Sequence, residues 1–186
     1  VNDSSYTITN LQPTTTYDIY VRAVCGTNDM SGWQSLQITT GICDNPITIA
    51  IGNGTQPSYD CPFYPYYRYS YSQQIYTASE IGLAQSGQSV DLSSIAFQYI
   101  NESSITRNVS IYLGHTTDSV FASSGDWVDD SELSLVYSGN VNWNNGGSNN
   151  WVEIQFDSSF AYNGVDNLVV AVVDNTGTEA PSGFQV

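Results

Sequence analysis

LQPTTTYDIYVRAVCGTNDMSGW, residues 11–33, is the stretch from which the rest of the chain is read. Tyr17, Ile19, Val21 and Ala23 alternate with Asp18, Tyr20, Arg22 and Val24, the period of two that marks a half-buried β-strand. A polar loop over residues 26–31 follows, then Trp33, and a second strand is expected near residues 36–40. Two short strands around a polar turn, with no helical period on either side, predict antiparallel β-structure.

Working outward, composition bounds the class. The chain has 186 residues, and its 40% hydrophobic content is enough to build a core over one or two domains. Only 11% of residues are charged, the net charge is -15, and the three cations are Arg22, Arg68 and Arg107, with no lysine. Such a chain has nothing with which to neutralise a row of phosphates, so nucleic acid and anionic lipid are excluded as expected partners. No run of 18 or more apolar residues occurs, so no membrane-spanning helix is expected.

Beyond a turn-rich linker at residues 41–46, strands are expected at 47–51, 69–77, 90–100, 107–113, 133–141, 151–156 and 168–173. Ile95, Phe97 and Tyr99 share one face, as do Val109, Ile111 and Leu113, and Val152, Ile154 and Phe156. Residues 168–173 are continuously apolar, which fits a central strand covered on both faces. Residues 78–82 suit one helical turn or a tight loop, and residues 55–67 form a loop rich in proline and aromatics. Phe121, Trp127 and Val128 read as plugs over the end of a sandwich. The predicted class is all-β, with a first domain over 1–42 and a second over 47–186.

Leu11, Pro13, Thr15 and Tyr17 form L-x-P-x-T-x-Y, which resembles the tyrosine corner of fibronectin type III domains. The resemblance implies strands E, F and G of that sandwich, with E at residues 5–9, and therefore a partial domain whose first strands lie upstream. In that fold the ends of F and G lie at opposite poles, too far apart for the Cα separation below about 7 Å that a disulfide needs. The resemblance implies that Cys25 pairs upstream of residue 1 and that Cys43 pairs with Cys61, the alternative being that Cys61 is a free thiol. Disulfides favour an oxidising, extracytoplasmic compartment.

The blocks IGNGT (51–55), YSYSQQIYTASEIG (69–82), IAFQY (95–99), TRNVSIYLGHT (106–116) and FAYNGVDNLVVAVVDNTG (160–177) resemble modules of large secreted surface proteins of Bacteroidetes. Such modules commonly follow fibronectin type III domains. The resemblance implies a jelly-roll-like antiparallel β-sandwich in an adhesin-like or degradative protein, extracellular or at the cell surface, exported by the type IX route. Residues 177–186 read as the way into a further strand, so the chain is expected to stop before its second domain closes.

Candidate chemistry is sparse. His115 is the one histidine, with no zinc-binding or triad spacing around it. Glu80, Glu102, Glu132 and Glu153 are scattered rather than grouped, so no enzyme is expected. The richest signal is aromatic: Tyr64, Tyr66, Tyr67, Trp143 and Trp151 are the candidate platform for stacking a sugar ring, with the alternative that such aromatics clamp a loop to the sandwich. Asp126, Asp129, Asp130 and Asp174 are candidate calcium ligands, since loop carboxylates supply hard oxygens. Asp118-Ser119-Val120 resembles an O-glycosylation signal of Bacteroidetes, with Ser119 as acceptor. The expected function is a non-catalytic module for adhesion or glycan binding to host or extracellular partners. The alternatives are a spacer or filament unit completed by neighbouring chain, and an accessory domain of a secreted protease or glycosidase.

Overall fold

The computed structural model describes residues 8, 11, 15–27, 29–41, 47–52, 57–58, 61–82, 89–144, 150–180 and 184–185. The chain divides into two compact units, Val1–Thr48 and Ile49–Val186. Nearly all regular structure is β.

In the first unit β1 (Thr16–Val21) pairs antiparallel with β4 (Gln34–Thr39), from Thr16 opposite Thr39 to Val21 opposite Gln34. The turn end is extended by β2 (Val24–Gly26) against β3 (Asp29–Met30). The alternation read from sequence is visible in β1, where Tyr17 and Ile19 are half-buried between exposed neighbours. Arg22 lies 4.5 Å above the Trp33 ring, a cation–π contact that fixes the loop after β3. Of the expected strand at 5–9, all but Ile8 lies outside the described residues, as does Pro13.

Among the described residues the second unit contains eight strands: β5 (Pro57–Ser58), β6 (Ser70–Tyr76), β7 (Val90–Tyr99), β8 (Ile105–Thr116), β9 (Ser134–Trp143), β10 (Trp151–Tyr162), β11 (Asn167–Asp174) and β12 (Phe184–Gln185). They form two four-stranded sheets, ordered β10-β7-β12-β5 and β6-β11-β8-β9. Every pair symmetric about the β8–β9 connection is hydrogen-bonded and antiparallel: β8 with β9, β7 with β10, β6 with β11, and β5 with β12. A long hairpin rolled into two layers gives this order, which is that of a jelly roll. Residues 184–185 enter the first sheet between β7 and β5, with the Phe184 ring fully buried.

The core follows the alternation. Val109, Ile111 and Leu113 of β8 meet Leu168, Val170 and Val172 of β11 and Ile154 of β10 between the layers. One end of the core is aromatic: Trp143 contacts Phe63 at 5.1 Å and Phe184 at 5.2 Å, both edge to face, and Tyr99 packs on Phe184 at 5.3 Å. Such pairs add about 0.5–1.5 kcal/mol each beyond the area they bury. Between β6 and β7, α1 (Ala78–Ile81) is a single turn closed by a capping box, in which Thr77 and Glu80 each satisfy the other's backbone N–H.

β11 is covered on its second face too, since Val169 and Ala171 point away from the core and are fully buried. Their cover is the long β8–β9 connection, residues 117–133, which lies across the outer face of the sheet. This corrects the expectation that Trp127 and Val128 plug the end of the sandwich, since they lie against Tyr71 and Gln73 of β6. Gln73 of β6 bonds both backbone groups of Val128, at 2.9 Å each, and the Asn167 amide donates to the Asp118 carbonyl. At Gly114 the connection passes so close that a Cβ would stand 2.6 Å from Leu133 and 2.9 Å from the Glu132 carbonyl oxygen.

Arg107 and Asp174 lie on the inward faces of β8 and β11, in line with the core residues of those strands, and are almost wholly buried. The Arg107 Nε donates to Asp174 Oδ2 at 2.9 Å, and Nη2 donates to the same oxygen. Nη1 donates to the Thr178 carbonyl at 2.7 Å and Nη2 also to the Tyr67 carbonyl at 3.2 Å. Asp174 Oδ1 accepts from the backbone and hydroxyl of Thr176 at 3.0 and 2.6 Å. Both charges are thus hydrogen-bonded as well as paired, the condition under which a buried ion pair is tolerated. Replacing one partner strands the other. Arg107→Met should lower unfolding stability by about 3–5 kcal/mol, and adding Asp174→Leu should recover part of that loss; urea denaturation of the single and double variants measures both.

Candidate functional site

The residues 61–69 begin with a cis Cys61–Pro62 bond and make a turn at Tyr64-Pro65-Tyr66-Tyr67, where the Tyr67 N–H donates to the Tyr64 carbonyl at 3.1 Å. Proline at the second position suits such a turn because its φ is already fixed there. Pro62, Phe63 and Pro65 are buried, so alternate residues of the loop anchor it while the tyrosines between and after them face out. The backbone is tied on every side. Ser72 Oγ donates to the Pro62 carbonyl, the Ala180 N–H to Pro65 at 2.9 Å, the Arg107 guanidinium to Tyr67, and the Gly177 N–H to Arg68 at 2.8 Å. Gly177 has φ 78°, a conformation that a side chain disfavours, and a Cβ there would meet the Tyr69 hydroxyl at 3.1 Å.

On this fixed backbone Tyr64 and Tyr66 stack at 6.0 Å with planes 28° apart, and Tyr67 stands nearly perpendicular to both, at 5.0 and 6.1 Å. Tyr66 is 61% exposed and Tyr67 58%. These separations are those of rings in direct contact. The three rings form a continuous aromatic corner. Phe63 clamps the loop to the core, while Tyr66 and Tyr67 remain outside. Beside the corner Arg68 pairs with Glu179 at 3.5 Å, both side chains exposed.

The structure does not bring the other candidates to this corner. Trp143 is corrected outright: β9 runs two residues further than its sequence suggests, which turns Trp143 inward to 1% exposure at the centre of the aromatic core. It cannot stack a ligand. Trp151 opens β10 on the other sheet, partly exposed, and makes no ring contact with the tyrosines among the described residues.

The four candidate calcium ligands are not gathered either. Asp126 accepts from the Ala122 N–H at 2.7 Å, Asp129 caps the 3-10 turn Asp130–Glu132 through Ser131, and Asp130 accepts the Tyr71 hydroxyl at 2.9 Å. Hydrogen bonds from the Ser131 side chain and then its backbone hold the Asp129 carboxyl below its usual range. Asp174 is engaged by Arg107 inside the sandwich. Among the described residues no group of three or more His, Cys, Asp or Glu side chains is placed to hold a metal ion. The carboxylates are already used to order loops and to balance a buried cation.

Cys43 lies outside the described residues, so the Cys43–Cys61 pairing does too; Cys61 is half-buried and Cys25 is exposed. Ser119 is exposed at the start of the strap formed by residues 117–133, beside a Val120 side chain in open solvent. His115 is structural: its Nε2 accepts from the Asn163 N–H at 3.1 Å and its ring stacks on Tyr162.

One contact escaped sequence reading. Tyr71 and Trp127 stack at 5.2 Å with planes 29° apart, although 56 positions separate them in the chain. No local pattern signals such a pair. Comparison of the chain with protein-family models, with curated proteins and with solved structures finds no match.

Several phenols are shifted, and Tyr76 most of all. Its ring packs against the core, and burial first, then the nearness of Cys61 and Glu80, push its pKa up to about 12. The unfolded value is about 10, so the protonated phenol favours the folded state. That contribution is complete below pH about 10 and is lost as pH rises through about 12. Denaturation at stepped alkaline pH should show stability falling across this window by up to about 3 kcal/mol from this group, and Tyr76→Phe should flatten the fall.

Proposed function

We propose that the chain is a non-catalytic extracellular module of a multidomain bacterial surface or secreted protein, and that its second unit binds neutral glycans. The observation that carries this reading is the corner of exposed Tyr66 and Tyr67 against half-buried Tyr64, on a loop whose backbone is tied to the sandwich. Rings held in place lose little freedom when a ligand arrives, so stacking is not offset by ordering. The net charge of -15 disfavours acidic polymers, and each arginine is already engaged, by a ring, an exposed glutamate or a buried aspartate. Neutral sugars suit what is left: C–H faces for the rings and hydroxyls for the surrounding carbonyls and carboxylates.

A second reading, a spacer or filament unit completed by neighbouring chain, is favoured by the first unit. There Val21, Val24 and Leu36 are each more than 60% exposed on a narrow hairpin, an arrangement with apolar surface to cover. A glycan array separates the two. Binding to a neutral glycan is expected, weakened several-fold by Tyr66→Ala or Tyr67→Ala, about 1 kcal/mol for each ring removed. An array on which the intact protein binds nothing would contradict the glycan reading and favour the spacer.

A further inference from the structure

Resting on that reading, we infer that the ligand is an extended glycan chain, and that its track continues from the tyrosine corner past Tyr69 to Tyr71 and Trp127. Tyr69 stands in the bend one residue before β6, and Tyr71 is the second residue of that strand, so two exposed rings lie two positions apart where the loop enters the sheet. Trp127 continues the row from Tyr71 at 5.2 Å. The three rings are 66%, 38% and 48% exposed, on a surface whose aliphatic neighbours Val169 and Ala171 are covered. Aromatics are therefore left out where apolar side chains have been hidden.

The far end of the row is as firmly fixed as the near end. Gln73 grips both backbone groups of Val128, next to Trp127, and also donates to the Tyr71 hydroxyl at 2.7 Å, while that hydroxyl donates to Asp130. Between these groups lies a cleft of ≈ 330 Å³ lined by Tyr71, Tyr112, Asp130, Leu133 and Val173. A volume of that size takes a small ring. Asp130 uses one carboxylate oxygen for Tyr71, and the other suits a donor. Sugar hydroxyls donate, whereas a proline-rich peptide, the other polymer that docks on aromatic rows, presents chiefly carbonyl acceptors. The polar chemistry of the cleft thus favours a polyol chain.

The test is calorimetric titration of the intact protein with cello-, xylo- and manno-oligosaccharides of one to six units, and separately with a proline-rich peptide. Affinity for at least one series should rise about tenfold or more with length, as further rings are engaged. Trp127→Ala should lower affinity for the hexasaccharide several-fold and leave the disaccharide unchanged, while Tyr66→Ala should weaken both. Equal affinity for short and long members, with no effect of Trp127→Ala, would overturn the track and leave the tyrosine corner standing. No heat from any sugar of any length would remove the glycan reading itself, and binding of the peptide alone would replace the polyol by a polypeptide. Circular dichroism of Trp127→Ala guards against loss of fold.

Discussion

The Arg107–Asp174 pair is the constraint on which the outer architecture of the second unit depends. A single guanidinium, inside the sandwich, joins β8 to β11 and holds the carbonyls of Tyr67 and Thr178 from two different loops. Asp174 in turn orders Thr176, whose hydroxyl accepts from the Asn108 N–H at 2.8 Å, so the turn after β11 is bound back to β8. That turn then supplies Gly177 and Ala180, whose N–H groups hold Arg68 and Pro65. The tyrosine corner is fixed from within the core, by a charge whose desolvation is offset only while all these acceptors stay in place.

The jelly roll distributes roles between its surfaces. The outer face of β11 is closed by the strap, with Gly114 allowing backbone to pass against backbone. The edge of β9 is blunted differently: the irregular stretch of β10 between Gln155 and Phe160 presents Asp157, whose carboxylate accepts from the Ser138 N–H at 3.1 Å. A satisfied, charged edge discourages pairing with other chains. Five exposed aromatics of this unit, Tyr66, Tyr67, Tyr69, Tyr71 and Trp127, lie on β6, on its approach and on the strap beside it.

How much of this was legible follows from the range of the interactions. Strand positions were, because alternation is local: Ile95, Phe97 and Tyr99, and Val109, Ile111 and Leu113, turn inward as their spacing demands. The central, doubly covered position of residues 168–173 was legible for the same reason. Parity carries a signal for the buried ion pair as well. Arg107 is in step with Val109 and Ile111, and Asp174 with Val170 and Val172, so two opposite charges were each written on an inward face. Trp143 is likewise in step with Val141, although the Asn-rich residues after it suggest a loop. The strap, the Tyr71–Trp127 stack and the identity of the residues that tie the tyrosine loop were not legible, since each joins segments tens of residues apart. The all-β class emerges from short-range pattern, and the candidate site from long-range contacts.

Amide hydrogen exchange at single-residue resolution, on the intact protein and on Asp174→Asn, tests most directly whether the tyrosine corner is held from the core. In the intact protein the N–H groups of Tyr67, Gly177 and Ala180 should be protected to nearly the same degree as those of β8 and β11, and in Asp174→Asn they should exchange much faster while the strands keep their protection. Exchange at unprotected loop rates in the intact protein, or protection indifferent to the substitution, would contradict it.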